Sequence, residues 1–186
     1  MITAPVSDIV IRAAVPADIP AIAAIYAQAV AEGTASFELD PPGEDEMARR
    51  MRDVREGGFP YLVAAAGDGI LGYAYAAPYR ARPAYRFTVE DSIYVAPAAH
   101  RRGVGRRLLA GLIAGCEADG LRLMVAVIGD SANAASIELH RAAGFRMVGT
   151  FHNIGFKFGR WLDSVMMERP LGPGAARPPQ ERAGAR

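Results

Sequence analysis

The sequence predicts an α/β fold: a mixed central β-sheet of about seven strands flanked by four helices. Three observations carry that prediction. β-prone runs and helical periodicities alternate along the chain rather than segregating into blocks. Residues 121–128 are almost continuously apolar, as expected of a strand at the centre of a sheet. Gly67-Asp68-Gly69 joins two short apolar runs and gives a strong hairpin signal.

Residues 9–13 form the first β-prone run. Pro16 suits a first helical turn and Asp18 lies near its positive end. Ile19, Ile22, Ala23, Tyr26 and Val30 then share one face at helical spacing until Gly33. Residues 43–56 read as a second, very polar helix stopped by Gly57 and Gly58. Strands are expected at 61–66 and 70–77, about the hairpin, and at 86–95, where Pro97 marks the end. Val104, Leu108, Leu109, Leu112, Ile113 and Cys116 make the apolar stripe of a third helix. Beyond the strand at 121–128, residues 133–143 form a fourth helix with Gly144 at its C-cap. Residues 145–152 and 164–168 supply the last strands. The order is βαα-βββ-α-β-α-ββ, without an internal repeat. From Gly172 onward, Pro, Gly, Ala and Arg imply a disordered tail. One domain is therefore expected over 1–171, with a tail at 172–186.

Composition narrows the function. The chain has 186 residues, 51% of them hydrophobic, enough for one domain with a real core. A single cysteine closes no internal disulfide and excludes zinc sites built from cysteine pairs. The apolar segment 19–31 is too short to span a bilayer and is bracketed by Asp18 and Glu32. The N-terminus lacks the basic start of a signal peptide and carries Asp8 early, so a soluble cytoplasmic protein is expected, with no membrane partner. Lys plus Arg total 21 against 20 Asp plus Glu, and the tail holds three of those arginines against Glu181. The remainder lacks the broad basic face that nucleic-acid binding needs. Lys157 is the only lysine, which matches a composition rich in Ala, Gly, Pro and Arg.

The most informative segment runs from Ser92 to Arg107, where a strand leads through a basic, Gly-containing loop into an amphipathic helix. At such a helix start, free backbone N–H groups and the dipole favour an anion. Gly103 and Gly105 remove side chains so that a phosphate can approach, and Arg101, Arg102, Arg106 and Arg107 add charge. A solvated arginine cluster is the alternative on spacing alone.

His100 to Gly105 resembles the acyl-CoA pyrophosphate loop of the GNAT superfamily of N-acetyltransferases, Q/R-x-x-G-x-G/A, with His100 in the first position. A dinucleotide fingerprint would need a different spacing and an early strand. Asn133, Ser136, Leu139, His140, Gly144 and Phe145 are similar to that family's N-x-x-[AS]-x-x-L-Y-x-x-x-G-F helix, with His140 where the family has tyrosine. Three further stretches (33–38, 79–92 and 155–163) resemble phosphinothricin and methionine-sulfoximine N-acetyltransferases. The resemblance covers roughly residues 9–171.

That resemblance implies a GNAT fold, acetyl-CoA as cosubstrate and no metal. Asn133 and Ser136 would lie along the pantetheine arm beside Arg101, Arg102, Gly103, Val104, Gly105 and Arg106, and the backbone of Ile93, Tyr94 and Val95 would pair with the pantetheine amides. Glu90 would be the base that frees the amine, and His140 would act on the leaving thiolate, since imidazole exchanges protons near neutral pH. The alternatives are a strand-end carboxylate paired with Arg86 or another arginine, and a half-buried helix histidine. Arg80, Arg82 and Tyr85, in the loop before the Glu90 strand, suit an anionic group on a small amino-acid substrate, the alternative being a solvated loop with two unpaired arginines, and Phe37 belongs to the same substrate set. Trp161 and Phe156 are either ordinary core aromatics or, as the resemblance implies, residues that line the substrate end or a homodimer seam. Cys116 is expected in the core, His152 to be structural or solvent-facing, and His100 to lie beside the cofactor. The leading expectation is N-acetylation of such an amino acid by direct attack in a ternary complex. The competitors are the same chemistry on an aminoglycoside, polyamine or protein N-terminus, and a silent acyl-CoA-binding module, against which Glu90 and His140 together weigh.

Overall fold

A computed structural model describes residues 9–180; Asp8 and the last six positions of the tail, 181–186, lie outside the described residues. The elements in chain order are β1 (Val10–Ala13), α1 (Ile19–Glu32), α2 (Glu44–Glu56), β2 (Tyr61–Ala66), β3 (Gly69–Pro78), β4 (Thr88–Val95), α3 (Val104–Ala118), β5 (Leu123–Gly129), α4 (Ala134–Ala142), β6 (Arg146–Lys157) and β7 (Arg160–Pro170). They build one seven-stranded sheet in the order β1-β2-β3-β4-β5-β7-β6. Every neighbouring pair is antiparallel except β4 and β5. This is the mixed α/β sheet with four flanking helices that the sequence predicts.

The two faces of the sheet bury separate cores. On one, α3 lays Val104, Leu108, Leu109, Leu112 and Cys116 against Ala74, Ala76, Val89, Met124 and Ala126. On the other, Ile22, Tyr26 and Val30 of α1 and Met47 and Met51 of α2 cover Tyr61, Val63 and Tyr73. Alternate residues of a strand point to opposite faces, so each strand in this half of the sheet feeds both cores.

Three boundaries differ from the sequence reading. β4 starts at Thr88 rather than at 86, because Pro83 opens a one-turn helix in which Tyr85 N–H donates to the Arg82 carbonyl and Arg86 N–H to Pro83. β5 runs from Leu123 to Gly129 rather than 121–128, since Leu121 N–H caps back onto Cys116. The last hairpin is much longer than the expected strands at 145–152 and 164–168. Its turn is Phe158-Gly159, with φ of 52° and 72°; a phenylalanine in that left-handed slot carries no turn signal. β6 also bulges between Met147 and Gly149 and between Phe151 and Gly155, which breaks its alternation. After β7, Gly174 N–H donates to Leu171, Ala176 N–H to Pro173, and Arg122 reaches the Pro178 carbonyl, so residues 172–178 turn back along the domain. No helix among the described residues is long and apolar enough to cross a membrane.

Candidate active site

The parallel pair β4 and β5 is in register only from Thr88↔Leu123 to Asp91↔Ala126. Beyond that point β4 continues on β3 as far as Val95, while β5 continues on β7 as far as Gly129. The two strands part, and a cleft of about 890 Å³ opens where they do. That size is typical of a cofactor or ligand site. Ile93, Tyr94, Val95, Arg101, Gly103, Val104, Gly105, Arg106, Asn133, Ser136 and His140 all line it. Arg102 lies in the same turn but is not a lining residue.

At the mouth of the cleft, α3 begins with Gly103 as its N-cap at φ 77°, with no side-chain capping bond. The first-turn N–H groups have no acceptor within the helix, and His100 Nε2 closes the loop onto the Val95 carbonyl at 3.0 Å. The two glycines serve different ends. Gly103 supplies the left-handed backbone, and a Cβ there meets nothing within 4 Å; a Cβ at Gly105 would sit 3.3 Å from Leu139 of α4. Gly105 thus lets α3 and α4 approach, in addition to the phosphate access that the sequence reading gave it. On the opposite wall, the Asn133 side chain accepts the Ser136 N–H at 3.2 Å and caps α4. The unpaired edge of β4 beyond Asp91 exposes backbone donors and acceptors to the gap, as an extended amide-bearing chain requires. These features fit the pantetheine and pyrophosphate of acetyl-CoA.

Glu90 and Asp91 are successive residues at the point of divergence, so they face opposite sides of the sheet. Asp91, buried, turns toward α4, where its Oδ2 lies 3.0 Å from His140 Nε2. His140 Nδ1 lies 2.7 Å from the Ser136 carbonyl. Both ring nitrogens therefore face oxygen acceptors, an arrangement that suits the doubly protonated ring. Burial opposes that charge, but the hydrogen bond and charge of Asp91 and the Ser136 carbonyl outweigh it, and the His140 pKa is raised. Glu90 faces the α1 side and is half-buried. Burial, reinforced by the Asp91 charge and offset in part by Arg80, raises its pKa too. The sequence reading did not single out Asp91. Strand alternation put it on the far face from Glu90, but its partner is 49 residues away, beyond any local signal.

The substrate set is only partly brought together. Arg80 acts on Glu90 through its charge and stacks 4.9 Å over the Tyr79 ring. Tyr85 lines a separate small cavity of about 170 Å³ with Tyr79, Thr88, Val125 and Met166. Arg82 is exposed at the start of its one-turn helix. None of Arg80, Arg82, Tyr85 and Phe37 lines the main cleft, and Glu90 itself does not, although its neighbours Asp91 and Ser92 do. Phe37 follows the cleft-lining Thr34 and Ala35, its ring packed where Gly129 and Gly155 have no side chain. Cys116 is buried within the α3 core, and His152 is exposed and paired with Asp163 at 3.1 Å. No cluster of metal-ligating side chains occurs among the described residues.

Residues 11–166 match the acetyltransferase (GNAT) domain family, and the chain belongs to that family. Within it the chain sits in the phosphinothricin and methionine sulfoximine N-acetyltransferase branch. The Alcaligenes faecalis phosphinothricin N-acetyltransferase is 55% identical over 157 residues, which cover 84% of this chain and 80% of the relative. The Pseudomonas aeruginosa L-methionine sulfoximine/L-methionine sulfone acetyltransferase is 44% identical over 173 residues, covering 90% and 98%. The solved structure of a Sinorhizobium meliloti phosphinothricin acetyltransferase in complex with AcCoA superposes with a TM-score of 0.92 at 46% identity, covering 96% and 97%.

Proposed function

We propose that the chain transfers the acetyl group of acetyl-CoA to the α-amine of a small amino acid or analogue, of the kind of phosphinothricin, methionine sulfoximine or methionine sulfone. The observation that carries this reading is the pair of ionisable groups on opposite faces of β4, at the point where the cleft opens. The cosubstrate supplies an activated acetyl group as a thioester. The start of α3, with Arg101 and Arg106, holds the pyrophosphate, and the edge of β4 from Ser92 to Val95 orients the arm. Most amines are protonated at neutral pH. Glu90, with its pKa raised toward the working range, takes that proton from the α1 side of the sheet. His140, whose protonated form Asp91 and the Ser136 carbonyl favour, brings positive charge beside the departing sulfur. Attack is direct: Cys116 is walled into the core, and although Ser136 Oγ lies 3.4 Å from His140 Nδ1, that nitrogen is engaged by the Ser136 carbonyl at 2.7 Å and is not free to take the hydroxyl proton.

Arg80, beside Glu90 in charge, receives the acceptor's carboxylate. The test is acetyl-CoA consumption across a panel of amines. Methionine sulfone, methionine sulfoximine or phosphinothricin should turn over far faster than spermidine, kanamycin or a peptide. Preferential turnover of one of the latter overturns the acceptor class, and absence of CoA release with every amine overturns the activity.

The same reading includes a cytoplasmic homodimer. β6 is an edge strand, and its hairpin exposes Phe151, Ile154, Phe156, Phe158 and Trp161, a concentration of apolar groups that a second copy would cover. Light scattering should give twice the chain mass, and Phe156→Glu should halve it.

A further inference from the structure

The only lysine of the chain is buried. Lys157, at the end of β6, is 4% exposed and donates each of its three N–H bonds to a backbone carbonyl: Val30 at 2.7 Å, Gly33 at 3.0 Å and Ser36 at 2.9 Å. A buried ammonium is costly unless fully bonded, and burial pushes the Lys157 pKa below the usual lysine value. Two of the acceptors lie in or beside the last turn of α1, where the helix dipole favours a cation. The third lies in the segment that follows. One ammonium thus ties the end of α1 and the segment 33–38 to a strand more than 120 residues away in sequence.

That segment is a wall of the cleft. Gly33, Thr34 and Ala35 line it, and Thr34 Oγ1 donates to Asp130 at 3.0 Å. The Phe37 ring fits against β5 and β6 so closely that a Cβ on Gly155 would fall 2.4 Å from it. At its far end, Ser36 Oγ and Glu38 bond the Tyr26 hydroxyl. The wall covers the sheet face that Glu90 occupies, whereas the α3 anion site and α4 approach from the other. We propose that Lys157 is a positioning residue for the acceptor: it fixes the 33–38 wall on the Glu90 side of the cleft, and so sets acceptor binding without touching the acceptor. This rests on the reading of the cleft as an acetyl-transfer site.

Arginine cannot take over, because a planar guanidinium does not converge three donors from one point. Methionine keeps the length of the stem and deletes the donors. In Lys157→Met and Lys157→Arg, the acceptor KM should rise roughly tenfold or more, the scale of a lost charged hydrogen bond. The acetyl-CoA KM should stay within about twofold, since the α3 site is untouched. A merely structural lysine would lower the thermal midpoint and the active fraction and leave both KM values alone. Both KM values unchanged, or both rising together, overturns the proposal. A second readout needs neither a variant nor turnover. Lysine-specific ¹⁵N labelling gives a single side-chain ammonium resonance, which should be protected from exchange in the native chain and should shift on adding methionine sulfone but not CoA. An unprotected signal, or one indifferent to the acceptor, also overturns it. If the wild-type chain acetylates no amine while the signal is protected and shifts, the activity assigned above fails and the clamp stands.

Discussion

Glu90 and Asp91 differ by one position in the chain and by a whole sheet in space. The carboxylate on the α1 face has a raised pKa, so turnover should fall as pH drops through a value above the ordinary glutamate range. Glu90→Gln should lower kcat by ~10²–10⁴ and abolish that acidic limb. Near-normal turnover with the limb intact would assign the proton to another group. Asp91 works on both limbs at once. Its charge raises Glu90, and its hydrogen bond and charge raise His140. Asp91→Asn should therefore move the acidic limb, set by ionised Glu90, and the alkaline limb, set by protonated His140, toward lower pH together. A profile in which only one limb moves would separate the two groups electrostatically. The same pairing has a stability consequence. A histidine whose pKa is raised in the fold stabilises it fully below the unfolded value near 6.5, and that contribution disappears as pH rises through the folded value. Thermal midpoints of wild type and His140→Gln should differ most at mildly acidic pH and converge at alkaline pH.

The elements divide into those with a local signal and those without. α1 and α3 were legible because each has one apolar stripe at helical spacing, and α4 because Gly144 marks its end. The α3 start was legible as an anion site from two glycines and a run of arginines. β6 and β7 were legible only as two short strands, their full length and turn being hidden because two bulges interrupt the alternation and Phe158 occupies a turn position that sequence rules reserve for Asn, Asp or Gly. Asp91 and Lys157 escaped for a different reason: what makes each important is a partner brought close only by the sheet topology. Two substitutions test elements rather than side chains. Gly103→Asp adds charge at the α3 N-cap with no atom in its way, at a left-handed position that aspartate tolerates better than most. It should raise the acetyl-CoA KM about tenfold or more and leave the fold intact; an unchanged KM would move the pyrophosphate elsewhere. Gly155→Ala pushes a methyl into the Phe37 ring. Acceptor kcat/KM should fall by roughly tenfold, with acetyl-CoA binding retained, as titration with CoA would check.

At the scale of the whole molecule, the aromatic residues are sorted by place. Tyr26, Tyr61, Tyr73, Tyr75 and Tyr94 form a chain of ring contacts between the sheet and α1, with centroids 4.8–6.4 Å apart. The sole tryptophan, Trp161, lies at the opposite edge of the sheet, 60% exposed against Phe156. The two chromophores thus report different territories. Near-ultraviolet dichroism, dominated by the packed tyrosines, follows the interior beneath α1 and α2, whereas tryptophan emission follows the last hairpin. Denaturation curves from the two signals coincide only when edge and interior melt as one unit. On dilution, a blue-shifted emission that moves to the red while the tyrosine dichroism holds constant marks separation of the subunits rather than loss of the fold.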